Sequence, residues 1–265
     1  MTVSEPITER DGPQFDEGLR TDAIDEETAA RGSVYALAAA AFAEPSDGLH
    51  ERFADGSLDE TMAALVDRTG LDVDPPDLAV ADDRETLAAR YNDLFVIGYS
   101  EVIDGTDGTV ENQGPPASLY ESTYRSDVSW NDVNLDLARA YEHFGCEIGG
   151  DERRHHDHAR LELEFAGYLC RLAAAGDGDA AGDTESPGLR RARLDFHDRH
   201  LSVLASGLRT ALDDEPGTGV YGRLAQFLDA FVAADVDDLA DRLDAGAGAD
   251  REHAVTEGSD GGERS

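Results

Sequence analysis

RHHDHARLELEFAGYLCRLAAA, residues 154–175, decides the fold. Read at helical spacing, Leu161, Phe165, Tyr168, Leu169 and Leu172 fall on one side, with Leu163, Ala166 and Cys170 beside them. The segment is therefore apolar over more than half its girth, the mark of a helix central to a bundle. On its C-terminal side, the low-complexity run 176–188 reads as an exposed mobile loop. Beyond it, Leu201, Leu204, Leu208 and Leu212 stripe a long helix over 189–212, and Leu224, Phe227, Leu228 and Phe231 mark another. A short turn is expected at 236–243. On the N-terminal side, a helix from Asn131 to Phe144-Gly145 carries Leu135, Ala138 and Tyr141. Three earlier helices are expected: Asp25 to Ala43, closed by Pro45; one opening on a Ser57/Glu60 capping box and stopping at Gly70; and one from Asp82 to Gly98. No alternating strand pattern of useful length and no fixed-period repeat is present. The expected fold is all-α, one helical-bundle domain of eight to ten helices over 25–243. A hinge loop at 98–118 divides it, with a disordered acidic arm at 1–24 and a disordered tail at 244–265.

Hydrophobic residues make up 40% of the 265, with alanine and leucine dominant, and aromatics only 7%, a mixture that favours helices. The formal charge of −36 sets 58 acidic against 22 basic residues, and every basic residue is arginine. Such self-repulsion strains a compact chain at low ionic strength, but at ~1 M salt the Debye length falls to roughly 3 Å. The composition thus predicts a haloarchaeal-like host with a salty cytoplasm. It excludes a bare nucleic-acid binder, which needs a basic patch. Two cysteines, Cys146 and Cys170, are too few for a disulfide framework and are expected as reduced thiols. The first residues lack a signal-peptide pattern, and no run of about 18 apolar residues occurs, so a cytoplasmic protein without membrane insertion is expected.

The densest titratable cluster is Glu152-Arg-Arg-His155-His156-Asp157-His158, with Glu162 a turn further on. Glu152-x-x-His155 imitates half of a di-iron site, but the second ExxH that a di-iron bundle requires is missing, as is HExxH. His156-Asp157 also mimics the pair of helical metal-dependent phosphohydrolases, with His143, His197 and His200 as further ligands; this is the enzymatic alternative. GxSxG, GxxxxGK[ST] and GxGxxG in a strand-to-helix setting are all absent. No catalytic residue, metal or cofactor is assigned.

The segment 91–124, YNDLFVIGYSEVIDGTDGTVENQGPPASLYESTY, changes character halfway. Tyr91, Leu94 and Phe95 share a helical face; Pro115-Pro116 and then Tyr120, Glu121, Ser122 and Tyr124 follow a Gly/Asp-rich connection. Apolar rings, fixed-φ prolines and hydrogen-bonding tips close together suit a recognition surface. With Tyr141-x-x-Phe144-Gly145 and with Asp157-His158 leading into LELEF, these motifs resemble, in order over residues 30–235, the TorD/DmsD/NarJ family. Its members are cytoplasmic chaperones for maturation of molybdenum-cofactor oxidoreductases of anaerobic respiration.

The resemblance implies a non-enzymatic, all-helical protein. It would bind the twin-arginine leader and the body of a molybdopterin-containing catalytic subunit and hold them for cofactor insertion. Tyr91, Leu94 and Phe95 match the family's YxxLF; Pro115, Pro116, Glu121, Ser122 and Tyr124 match its proline-to-tyrosine stretch, with extra residues before the glutamate. Asp157 and His158 match the end of E-x-P-D-H, and His200 a histidine of the late helix. His156 stands where that motif has proline and Arg154 where it has glutamate. On this reading Asp157 and Glu121 accept guanidinium groups, and Tyr91, Phe95 and Tyr124 take the apolar part of the leader. Monomer and homodimer both remain open.

Overall fold

The protein is described by a computed structural model covering residues 24–98, 100–104, 109–112, 114–148, 155–176 and 187–258. Helix α1 (Glu26–Ala41) opens on Asp25, whose carboxylate accepts the Thr28 N–H at 3.1 Å, and Glu26 and Glu27 complement the dipole of the first turn. It packs along α6 (Ala159–Ala175), the helix expected to be central. At the crossing two glycines face one another. A Cβ on Gly32 would lie 2.9 Å from the Gly167 carbonyl oxygen, and one on Gly167 would lie 2.8 Å from that of Gly32. Glycine inside a helix costs about 0.5–1 kcal/mol relative to alanine; here it lets the two backbones meet.

Pro45 ends α1 as expected, but Ser46 at once caps a helix the sequence reading lacked, α2 (Asp47–Ala54). Helix α3 (Ser57–Val66) follows without the anticipated capping box. Gly56, at φ 78°, is the N-cap, and the Ser57 N–H is bound instead by Asp55 at 2.8 Å. Helix α4 (Arg84–Phe95) is capped by Asp83. The segment 98–118, expected as an irregular hinge loop, holds an antiparallel hairpin of β1 (Ser100–Asp104) and β2 (Thr109–Asn112), with Val102 opposite Val110. Short β-branched runs on either side of a Gly/Asp-rich link explain it. The rest of the bundle is helical, as anticipated.

After a 3₁₀ turn at Glu121–Tyr124 come α5 (Trp130–His143), capped by Ser129, and α6, which starts at Ala159 behind the N-cap His158 rather than near Arg154. The predicted long helix over 189–212 is a rod of α7 (Pro187–Phe196), a π-helical turn (His197–Leu201) and α8 (Ser202–Asp213). Helix α9 (Val220–Gly258) absorbs the turn expected at 236–243 and runs on past 243, where a disordered tail was expected. Its late segment is rich in alanine, and isolated glycines there weaken a helix without ending it. Residues 1–23 of the expected arm, 177–186 of the expected loop and 259–265 of the tail lie outside the described residues. Among the described residues no helix is long and apolar enough to cross a membrane, and both cysteines are free thiols.

Two aromatic groups knit the helices. Phe42, Tyr91, Phe95 and Tyr221 join α1, α4 and α9, with Phe95 edge-on to Tyr221 at 5.3 Å. Phe165 of α6 meets Tyr141, Phe144 and Phe196 at 4.7–5.9 Å. Between α1, α7 and α9 lies the fully buried carboxylate of Asp235. It accepts from Arg31 at 2.9 Å, from Tyr35 at 2.8 Å and from Arg193 at 3.3 Å, while His197 Nε2 lies 3.2 Å away. Burial alone favours its acid form, but His197, Arg193 and Arg31 outweigh that and hold the carboxyl far below its ordinary range.

Asp235→Ala leaves two buried guanidinium groups without their shared acceptor and is expected to cost about 3–5 kcal/mol, read by chemical denaturation. A loss under 1 kcal/mol would show that water reaches these arginines. Exposed pairs such as Arg84–Asp47 and Arg160–Glu164 contribute at most about 1 kcal/mol each and do not offset the repulsion among the carboxylates. Calorimetry is therefore expected to show a thermal midpoint that rises between about 0.1 M and about 1 M NaCl; a midpoint that falls would reverse the charge argument.

Candidate functional site

Two backbone bonds and one from a backbone N–H to a side chain stitch the segment before α6 to the segment that follows the prolines. The Ala159 N–H donates to Leu119 O at 2.7 Å, and the Glu121 N–H to Asp157 O at 2.9 Å. The Ser122 N–H donates to Asp157 Oδ2 at 3.2 Å. Tyr120 and His158 thus pair as a single antiparallel bridge, and His158 caps α6 through Nδ1. Tyr124 locks the turn from below. Its hydroxyl donates to Ser118 O at 2.6 Å and accepts the Ser118 N–H at 2.9 Å, and burial pushes the phenol up to about 12. Its ring lies where α8 has no side chain: a Cβ on Gly207 would fall 2.3 Å from Tyr124 Cγ.

Under this stitched pair of segments sit three fully buried carboxyls, Glu121, Asp157 and Glu162. Glu121 is well supplied, with Arg125 Nε on Oε1 and His200 Nδ1 on Oε2 at 2.9 Å. His200 Nε2 lies 3.2 Å from Asp136 Oδ2, and Arg199 bonds the same Asp136 oxygen. Asp157 has one oxygen on the Ser122 N–H and none for the other; no N–H or O–H donor reaches either oxygen of Glu162. Burial, and then the neighbouring Glu121 and Asp157, drive the Glu162 carboxyl well above its ordinary value.

Of the residues singled out in the sequence, Glu121, Ser122, Tyr124, Asp157, His158 and His200 converge here. Pro115 and Pro116 are half-buried and lead into the turn, and the Ala117 N–H donates to Leu94 O at 3.0 Å, tying it to the end of α4. Tyr91, Leu94 and Phe95 are buried in the core, so they floor the site and do not form its open face. Glu121 was expected to receive a guanidinium from outside, but Arg125 and His200 already occupy its oxygens. Apolar contact on the surface falls instead to Tyr120 and Trp130, 37% and 45% exposed, and to Val96 and Ile97 at the end of α4. The Tyr120 ring packs against His158 at 5.0 Å and His155 at 5.3 Å, and Trp130 against His155 at 5.7 Å, a row of rings on the surface.

The enzymatic alternative needed His156 and Asp157 to meet distant histidines. His156 instead offers its N–H to Asn134 at 2.6 Å and its carbonyl to Tyr141 at 2.9 Å, and among the described residues no three His, Cys, Asp or Glu side chains converge as metal ligands. Glu152 lies outside the described residues. Sequence reasoning noted Glu162 only as a neighbour of the histidines. The signal was available: it begins the buried stripe Glu162, Phe165, Ala166, Leu169, where a carboxylate is out of place. Arg125, Asp136, Trp130 and Gly207 carried no comparable mark.

A helical bundle with two stitched segments over buried carboxyls is the class this geometry defines. Residues 54–206, more than half of the chain, match the family described as "Nitrate reductase delta subunit", and the chain belongs to that family. It is 35% identical over 131 residues to the selenate reductase assembly chaperone protein of Thauera selenatis, covering 49% of this chain and 58% of that one. The chlorate reductase assembly chaperone protein of Ideonella dechloratans is 33% identical over 132 residues, 49% of this chain and 59% of that one. The perchlorate reductase assembly chaperone protein of Dechloromonas aromatica is 27% identical over 211 residues, 79% of this chain and 90% of that one. The chain thus spans under two thirds of the length of the first two relatives.

An acid whose value is raised in the folded state gives its full stability below the unfolded value and loses it as pH rises toward the folded one. Glu162→Gln keeps the size of the side chain and has no proton to lose. Its thermal midpoint is expected to match wild type near pH 4.5 and to exceed it by several degrees at about pH 8. An equal difference at both values, measured by calorimetry, would show that Glu162 is not proton-linked.

Proposed function

We propose that the chain is a non-enzymatic assembly chaperone for a reductase catalytic subunit that carries molybdopterin, acting in the cytoplasm. It binds the N-terminal twin-arginine leader of that subunit and holds the subunit during cofactor insertion. The observation that carries this reading is the convergence of Asp157, His158, Glu121, Ser122 and His200 into one stitched pair of segments beside the exposed rings of Tyr120, His155 and Trp130. Membership of the family and relatives named as assembly chaperones of selenate, chlorate and perchlorate reductases support it.

The chemistry fits a leader that combines arginine with an apolar run. Guanidinium groups stack on tyrosine, tryptophan and imidazole rings and pair with carboxylates, and the apolar part has Val96, Ile97, Tyr120 and Trp130 to cover. A charge of −36 attracts a cationic segment, but at high salt that attraction is short-ranged, so burial and close pairing supply the affinity.

Calorimetry with a synthetic leader peptide that carries an arginine pair ahead of an apolar run, against a scrambled peptide, tests the reading. Binding of the leader alone is expected, with Tyr120→Ala and Trp130→Ala each weakening it about tenfold or more, that is by about 1.4 kcal/mol. Equal binding of the scrambled peptide would overturn it.

A further inference from the structure

The buried carboxyls form an unbalanced set. Glu121 takes Arg125 and His200, and Asp136 takes His200 and Arg199. Glu162 faces Glu121, Asp157 and the Tyr141 phenol, and among the described residues Arg125 opposes them. Both oxygens of Glu162 and Oδ1 of Asp157 are fully buried and receive no donor from the described residues. A buried carboxylate without a counter-charge keeps its proton. Among the described residues the set is therefore short of positive charge, and it lies beneath the two segments that the proposed function assigns to the leader.

We propose that Glu162 carries a proton in the free protein and gives it up to solvent when a guanidinium is seated over Asp157, so that client capture is coupled to proton release. This rests on the leader reading. An arriving guanidinium supplies positive charge over Asp157 and removes the reason for Glu162 to stay neutral. The ionised Glu162 then stabilises the complex in turn. Reprotonation reverses the sequence, so acid conditions favour release of the client. Burial lowers the His156 imidazole, next to Asp157, from its ordinary value, and the test separates it from Glu162.

The experiment uses the full chain and a synthetic peptide with an arginine pair ahead of an apolar run. Infrared spectroscopy of the free wild type is expected to show a buried carboxylic acid carbonyl band that vanishes on peptide binding and is missing from Glu162→Gln. Titration calorimetry near pH 7 in phosphate and in Tris is expected to give enthalpies that differ by about one released proton per peptide. Wild-type affinity should then rise up to about tenfold per pH unit below the Glu162 value, whereas Glu162→Gln binds more weakly at pH 8 and lacks that component. Peptide binding without proton release, or a carbonyl band that survives in Glu162→Gln, would overturn the proton coupling and leave the leader reading standing. No binding to wild type would overturn the leader reading, and the coupling with it.

Discussion

The contact between Gly32 and Gly167 sets the spacing on which the rest of the bundle depends. With no side chain on either helix at the crossing, α1 and α6 touch through their backbones. Arg31 and Tyr35 are thereby brought, on one flank, to Asp235 of α9. At the start of α6 the chain then turns through His158 to Asp157, where the stitched segments begin. A bulkier residue at either position would separate the helices by the width of a methyl group, and both polar clusters would lose register with their partners.

Those clusters answer the same difficulty in opposite ways. The chain has more than twice as many acidic as basic residues, so a buried arginine is a scarce resource. Asp235 has two of them, together with His197 and Tyr35, and its charge is secured inside the fold. Glu162 has no donor at all. Had the core needed only stability, an apolar residue would have served better at that position, because a buried ionisable group without a partner is a net cost. The asymmetry separates a carboxyl whose charge is balanced inside the fold from one left without a partner among the described residues.

Much of the architecture was legible in the sequence because the helices are strongly periodic and are opened by acids or serines, as at Asp25, Asp83 and Ser129. The hairpin was missed because its strands are four and five residues long, too short for an alternating pattern to stand out. The capping box failed because Ser57 fits the motif one residue too late; the positive φ of Gly56 had already started the helix. Tyr91, Leu94 and Phe95 show the limit of reading a site from spacing. An aromatic and aliphatic triple on one helical face is equally suited to a groove or to a core, and only the position of Tyr221 on a helix 130 residues away decides for the core. Asp157, His158 and His200 were found through family motifs, whereas nothing local in the sequence shows that a carboxylate at 121 is already occupied.

The π-helical turn at His197–Leu201 adds one residue to what would otherwise be an unbroken α-helix, and one residue is about 100° of rotation. His197 turns inward to Tyr35 and Asp235, and His200 turns to Glu121 and Asp136. One five-residue turn thus carries both imidazoles, one anchored at the centre of the bundle and the other at the turn that holds Glu121, so a single added residue sets the register of two polar clusters.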